Sequence, residues 1–144
     1  MGLCRQALAT LWACWGAERP PECPGTAVFG AVCPDCQSAL HRLARVCTIH
    51  VTGDERLVIL LRCNGCGRHY LNDWVEVGGW DDTPTEVVDR LFGPLDPAGA
   101  EQALSAMQSC PDPNDQHCDC LCHGALDRLI DRLPCRGVEA QEGR

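Results

Sequence analysis

The sequence predicts a small α+β fold, an antiparallel β-hairpin widened to a three-stranded sheet and followed by two or three short helices. Three observations carry that expectation. Two Cys-x-x-Cys pairs, Cys33-Pro-Asp-Cys36 and Cys63-Asn-Gly-Cys66, bracket a stretch rich in β-branched, alternating residues. Thr83-Pro-Thr-Glu86 matches a helix capping box with Pro at the first helical position. Leu126, Leu129, Ile130 and Leu133 recur at i, i+3, i+4 and i+7, one face of an amphipathic helix.

In chain order, residues 1–26 form an N-terminal extension. Leu3, Leu8, Leu11, Trp12 and Trp15 have the spacing of one face of a short helix, and Pro20-Pro21 stops it. Residues 27–80 are the metal-binding segment. Ala27 to Val32 is a short strand into the first cysteine pair, and 38–45 is ambiguous between helix and strand. Val46 to Val51 is β-branched and alternating, Thr52-Gly-Asp-Glu55 is a turn, and Arg56 to Arg62 is a strand apolar on both faces. His69 to Val77 is a third strand.

The expectation for 81–109 is helical. One helix starts at the capping box, carries Val87, Val88 and Leu91 on one face and ends at Gly93-Pro94; a second runs from Asp96-Pro97 to about Gln108. Pro111 to Asp115 is a loop, and 110–135 combines a Cys/His-rich cluster with the amphipathic helix, which Pro134 stops. The tail, 136–144, is expected to be disordered.

Composition narrows the function classes. The 144 residues contain thirteen cysteines and few aromatics, so the oily core is small and a staple is expected. Net charge is −8, with residues 1–70 at +2 and residues 71–144 at −10. An acidic chain without Lys binds phosphate backbones poorly and suits a basic protein partner. No run of 18 apolar residues exists to span a membrane, and the apolar run Ala7 to Ala13 sits at the lower limit of a signal-peptide core. An odd number of thiols does not suit a fully paired disulfide framework, so a reducing, cytoplasmic setting is expected.

Cys33, Cys36, Cys63 and Cys66 are the first candidate ligand set. Two residues between paired cysteines let both sulfurs of a tight turn face one ion, and the 26 residues between Cys36 and Cys63 suffice for a hairpin that returns the chain. The arrangement resembles the zinc ribbon, over roughly residues 27–80. That resemblance implies a closed, structural Zn²⁺ site with these four thiolates as ligands, and it is specific for metal rather than for task. A rubredoxin-like iron site, or buried or disulfide-bonded cysteines, are the alternatives.

Cys110 and the run His117-Cys-Asp-Cys-Leu-Cys-His123 form a second set. Four of Cys110, Cys118, Cys120, Cys122 and His123 are expected to hold a second Zn²⁺ beside a helix N-terminus, which favours thiolates. The alternative is a reduced thiol cluster or a redox pair such as Cys118 and Cys120. Cys47 reads as a small core residue, Cys135 as too distant for the cluster, and His41, His50 and His69 as structural. Cys4, Cys14 and Cys23 lack chelate spacing and read as non-ligands.

No phosphate-binding Gly loop, His-Glu-x-x-His or Gly-x-Ser-x-Gly occurs, and a four-cysteine centre leaves no open coordination position. Asp81, Asp82, Glu86 and Asp89 read as a solvated face rather than paired catalytic carboxylates. The leading expectation is a non-enzymatic zinc-binding protein acting through protein–protein contact, with a regulatory or immunity-like role toward a basic partner. A nucleic-acid-binding ribbon using Arg42, Arg45, Arg56, Arg62 and Arg68 is one alternative. A thiol redox protein using the 118–122 cluster is the other.

Overall fold

A computed structural model describes residues 6–7, 10–11, 32–50, 53–78 and 84–142, with side chains over 32–50, 53–78 and 84–137. The elements are β1 (Gln6–Ala7), β2 (Thr10–Leu11), β3 (Leu40–Ile49), β4 (Glu55–Cys63), β5 (His69–Gly78), β6 (Thr85–Leu95), α1 (Pro97–Ser109), α2 (Leu121–Arg132) and β7 (Cys135–Glu142). β1 and β2 pair antiparallel, so these four residues are strand rather than the expected helix. The remaining strands form one antiparallel sheet in the order β3-β4-β5-β6-β7. The fold is therefore α+β, with five strands in this sheet where the sequence predicted three.

The two extra strands have separate causes. Thr85–Leu95, expected as a helix from its capping box, is β6, paired with β5 from His69↔Leu95 to Gly78↔Thr85. Thr85, Val87 and Val88 are β-branched, and the helical set Val87, Val88 and Leu91 also fits a strand buried on both faces. Backbone pairing along β5 outweighs the local helix signal. The supposed tail forms β7, paired with β6 from Glu86↔Glu142 to Phe92↔Cys135. Its polar sequence conceals a strand because ladder hydrogen bonds need only backbone. The ambiguous stretch before Val46 is β3, with a register shift between Arg42 and Ala44. The expected strand at 27–32 lies outside the described residues except for Val32, which bridges Ala39.

β4 is apolar on both faces, as read. Leu57, Ile59 and Leu61 join Tyr70, Trp74 and Leu91 in one buried cluster, which also holds Cys33, Cys47 and Cys63. Val58 and Leu60 point the other way, onto Leu71, Phe92 and the inner faces of α1 and α2. There Ala103 and Met107 of α1 are buried, with Leu126, Leu129 and Ile130 of the stripe that the spacing predicted on α2, whose fourth member, Leu133, is half-buried. Each buried Leu, Ile or Met side chain there stabilises the fold by about 1.5–3 kcal/mol. α1 begins at Asp96, whose carboxylate accepts from the Gly99 N–H at 2.6 Å, with Pro97 in the first turn.

An ion cluster fastens the sheet to α2. Asp73, fully buried on β5, accepts from Arg56 Nε at 2.6 Å and from Arg90. Arg56 also reaches Asp127 on α2 at 2.7 Å. Asp89 is buried too, accepting from the Asn72 amide, so it does not belong to the solvated face expected for it.

Candidate metal centres

The sheet brings the two Cys-x-x-Cys pairs together at one end. The first precedes β3, and the second is the β4–β5 turn, so the Leu40↔Cys63 pairing sets them side by side. The turns are built alike. Cys33 N–H donates to Ser38 O at 2.8 Å and Gln37 N–H to Cys33 O at 2.9 Å; Cys63 N–H donates to Arg68 O at 2.8 Å and Gly67 N–H to Cys63 O at 3.2 Å. Each requires a left-handed residue after its second cysteine. Gly67 takes φ +78° without strain, and Gln37 takes φ +68° in the matching place.

This geometry aims amides at sulfur. Asp35 N–H donates to Cys33 Sγ at 3.4 Å, and the N–H groups of Gly65 and Cys66 donate to Cys63 Sγ at 3.2 and 3.4 Å. All four sulfurs lie within 4.8 Å of one another. Cys33 and Cys66 Sγ are 3.8 Å apart, and Cys36 and Cys63 Sγ 3.4 Å. A tetrahedral ion with bonds of about 2.3 Å to sulfur needs sulfur–sulfur edges of about 3.8 Å. The group fits.

A polar shell that the sequence did not disclose surrounds it. The buried Tyr70 hydroxyl lies 3.3 Å from Cys33 Sγ and donates to Asp35. Asp35 also pairs with Arg68 at 3.1 Å and with Arg136 of β7 at 2.8 Å. These partners, Arg136 and Tyr70 foremost, hold the Asp35 carboxyl well below the usual range. Burial pushes the Tyr70 phenol well up, aided by Asp35. The sulfurs diverge in acidity. Ser38 brings the Cys36 thiol down to about 6. The Arg68 N–H favours the Cys66 thiolate, yet desolvation and the three neighbouring sulfurs push it up to about 11. Four thiolates this close repel one another, and a divalent cation removes that penalty.

The second set gathers where α1 meets α2. Cys110 is the C-cap of α1, Cys120 the N-cap of α2, and Cys122 and His123 lie in the first turn of α2. Atoms of Cys110, Cys120, Cys122 and His123 lie within 4.8 Å of one another. His123 Nε2 is 3.7 Å from Cys110 Sγ. Cys118, the fifth candidate, is outside that group, though its sulfur is 3.7 Å from Cys110 Sγ. Cys120 and Cys122 Sγ are 2.9 Å apart, closer than a tetrahedral edge. Burial pushes Cys110 up to about 11 and Cys122 higher still, whereas contact with Cys122 brings Cys120 down to about 7. Burial lowers the His123 pKa, favouring the neutral imidazole that a metal needs.

The other candidates fall elsewhere. Cys47 is buried in the core and disulfide-bonded. Cys135 is exposed at the start of β7, its thiol facing Gly137 O. His41, His50 and His69 join neither group. Cys4, Cys14 and Cys23, like Asp81 and Asp82, lie outside the described residues. No helix among the described residues is long and apolar enough to cross a membrane.

Fold and site together define an α+β protein with two cysteine-rich groups positioned to hold metal ions. Compared with known proteins, the chain matches no family model, no curated protein and no solved structure.

Proposed function

We propose that this chain is a non-enzymatic zinc protein of zinc-ribbon type that acts through protein–protein contact. The observation that carries the reading is the convergence of two equivalent cysteine turns, whose four sulfurs lie within 4.8 Å of one another, as a four-thiolate metal site needs. Such a centre is closed and shapes a surface rather than performing chemistry. A second Zn²⁺ in the α1–α2 group would add a crosslink to the apolar packing that already joins the two helices.

The partner surface we assign is acidic. Glu101, Asp112, Asp115, Asp119 and Asp131 are all exposed on or beside the helices, which suits a basic protein. Nine of the described cysteines are free, which favours a reducing compartment such as the cytoplasm, with the disulfide-bonded Cys47 the exception. The nucleic-acid reading has less support, because Arg56 is committed to the buried Asp73 and Arg68 is paired with Asp35.

Native mass spectrometry from cell extract, with and without chelator, tests the proposal. Two zinc ions per chain and a stoichiometric protein partner are expected. Iron in place of zinc, or no partner, counts against it. One observation favours a second reading, a thiol redox protein: the 2.9 Å approach of Cys120 and Cys122. That reading requires disulfide-reducing activity that Cys120→Ser abolishes.

A further inference from the structure

The α1–α2 group offers five donors for four positions. Cys110 lies against the wall of the helical core, and its sulfur contacts those of Cys118, Cys120 and Cys122. Cys118 Sγ and His123 Nε2 are each 3.7 Å from it, and Cys118 also contacts Cys120. With zinc–sulfur bonds of about 2.3 Å and zinc–nitrogen bonds of about 2.0 Å, 3.7 Å suits either donor as a neighbour of Cys110 in a tetrahedron. The two flank the same open cleft of about 420 Å³, which Thr48, Ile49 and Asp119 also line. Cys110 and Cys122 are buried, whereas Cys118 and His123 are only half-buried.

We propose that this second centre has an interchangeable fourth ligand: Cys110, Cys120 and Cys122 are constant thiolates, and His123 and Cys118 alternate on a thiophilic divalent cation such as Zn²⁺. In the exchange a metal–nitrogen bond to His123 breaks and a metal–sulfur bond to Cys118 forms. The proton leaving the Cys118 thiol passes to the displaced imidazole or to water in the cleft, and no electrons move. The ion thus keeps four protein donors throughout, and the cleft becomes its route in and out. The inference rests on the reading that the α1–α2 group binds metal at all.

Zinc stoichiometry after gel filtration, measured on the full chain and three variants, tests it. Wild type, Cys118→Ser and His123→Ala should each hold two ions, and the double variant one. The double variant should bind the second ion more than about a hundredfold more weakly, beyond the loss that a merely supporting contact causes. X-ray absorption of His123→Ala should show sulfur alone around both ions. One ion in wild type refutes the metal reading itself. Two in wild type but one in His123→Ala, or a nitrogen or oxygen ligand persisting in that variant, overturns the exchange alone. Should His123→Ala not fold, His123→Asn takes its place. If neither folds, the proposal also falls, since a redundant ligand must be dispensable.

Discussion

Tyr70→Phe isolates the polar shell of the first centre. The phenol has one proton and two acceptors, the Asp35 carboxylate and Cys33 Sγ. Asp35 is also held by Arg68 and Arg136. Once metal makes Cys33 a thiolate, the phenol proton is therefore free to turn toward sulfur. Removing that hydroxyl deletes one donor, while the N–H groups of Asp35, Gly65 and Cys66 keep theirs. Losing a supporting contact typically weakens metal binding about 10–100-fold, and with three N–H donors remaining we expect about tenfold, near 1.4 kcal/mol. Cadmium NMR of the loaded protein under chelator challenge follows each centre by its own resonance. The first centre should weaken and the second stay unchanged. An affinity within about twofold of wild type, or equal weakening at both centres, would refute the role assigned to Tyr70.

Four further outcomes are expected. Asp73→Ala strips Arg56 and Arg90 of their buried partner and should destabilise the chain by about 3–5 kcal/mol in urea unfolding; a loss under about 1 kcal/mol would contradict the ion cluster's importance. Gly65→Ala places a Cβ 2.7 Å from Ser38 Cβ and 3.2 Å from Cys36 Sγ, so it should weaken metal at the first centre and leave the second intact. Gln37→Gly removes a left-handed side-chain penalty and should raise the thermal midpoint by a gain of about 1 kcal/mol, whereas a lowered midpoint would show that the Gln37 side chain matters more. Chelation should loosen the α1–α2 junction, visible as faster amide exchange in 110–123, while the centre of β5 stays protected. Uniform loss of protection would mean that metal holds the whole fold.

Much of the candidate site was legible because chelation is a local constraint. Two residues between cysteines, and Gly67 after the second pair, announce a tight turn wherever the turn ends up. The matching strain at Gln37 was not legible, since nothing about Gln marks a left-handed position. Tyr70 was visible only as a strand residue; that it meets Asp35 depends on the register of β5 against β4 and on the first turn. Cys118 and His123 could both be named as donors, but neither could be excluded from spacing alone.

The sequence by itself determined the two cysteine groups, the doubly apolar β4, the start of α1 at Asp96-Pro97 and the buried stripe of α2. These are short-range signals, set by chelate spacing, side-chain periodicity and cap chemistry. Only the tertiary structure decided that Thr85–Leu95 is a strand despite its capping box, and that the polar end of the chain closes the sheet as β7. Both outcomes come from backbone hydrogen bonding to a neighbouring strand. That pairing is nearly blind to side-chain identity, so a local pattern cannot report it.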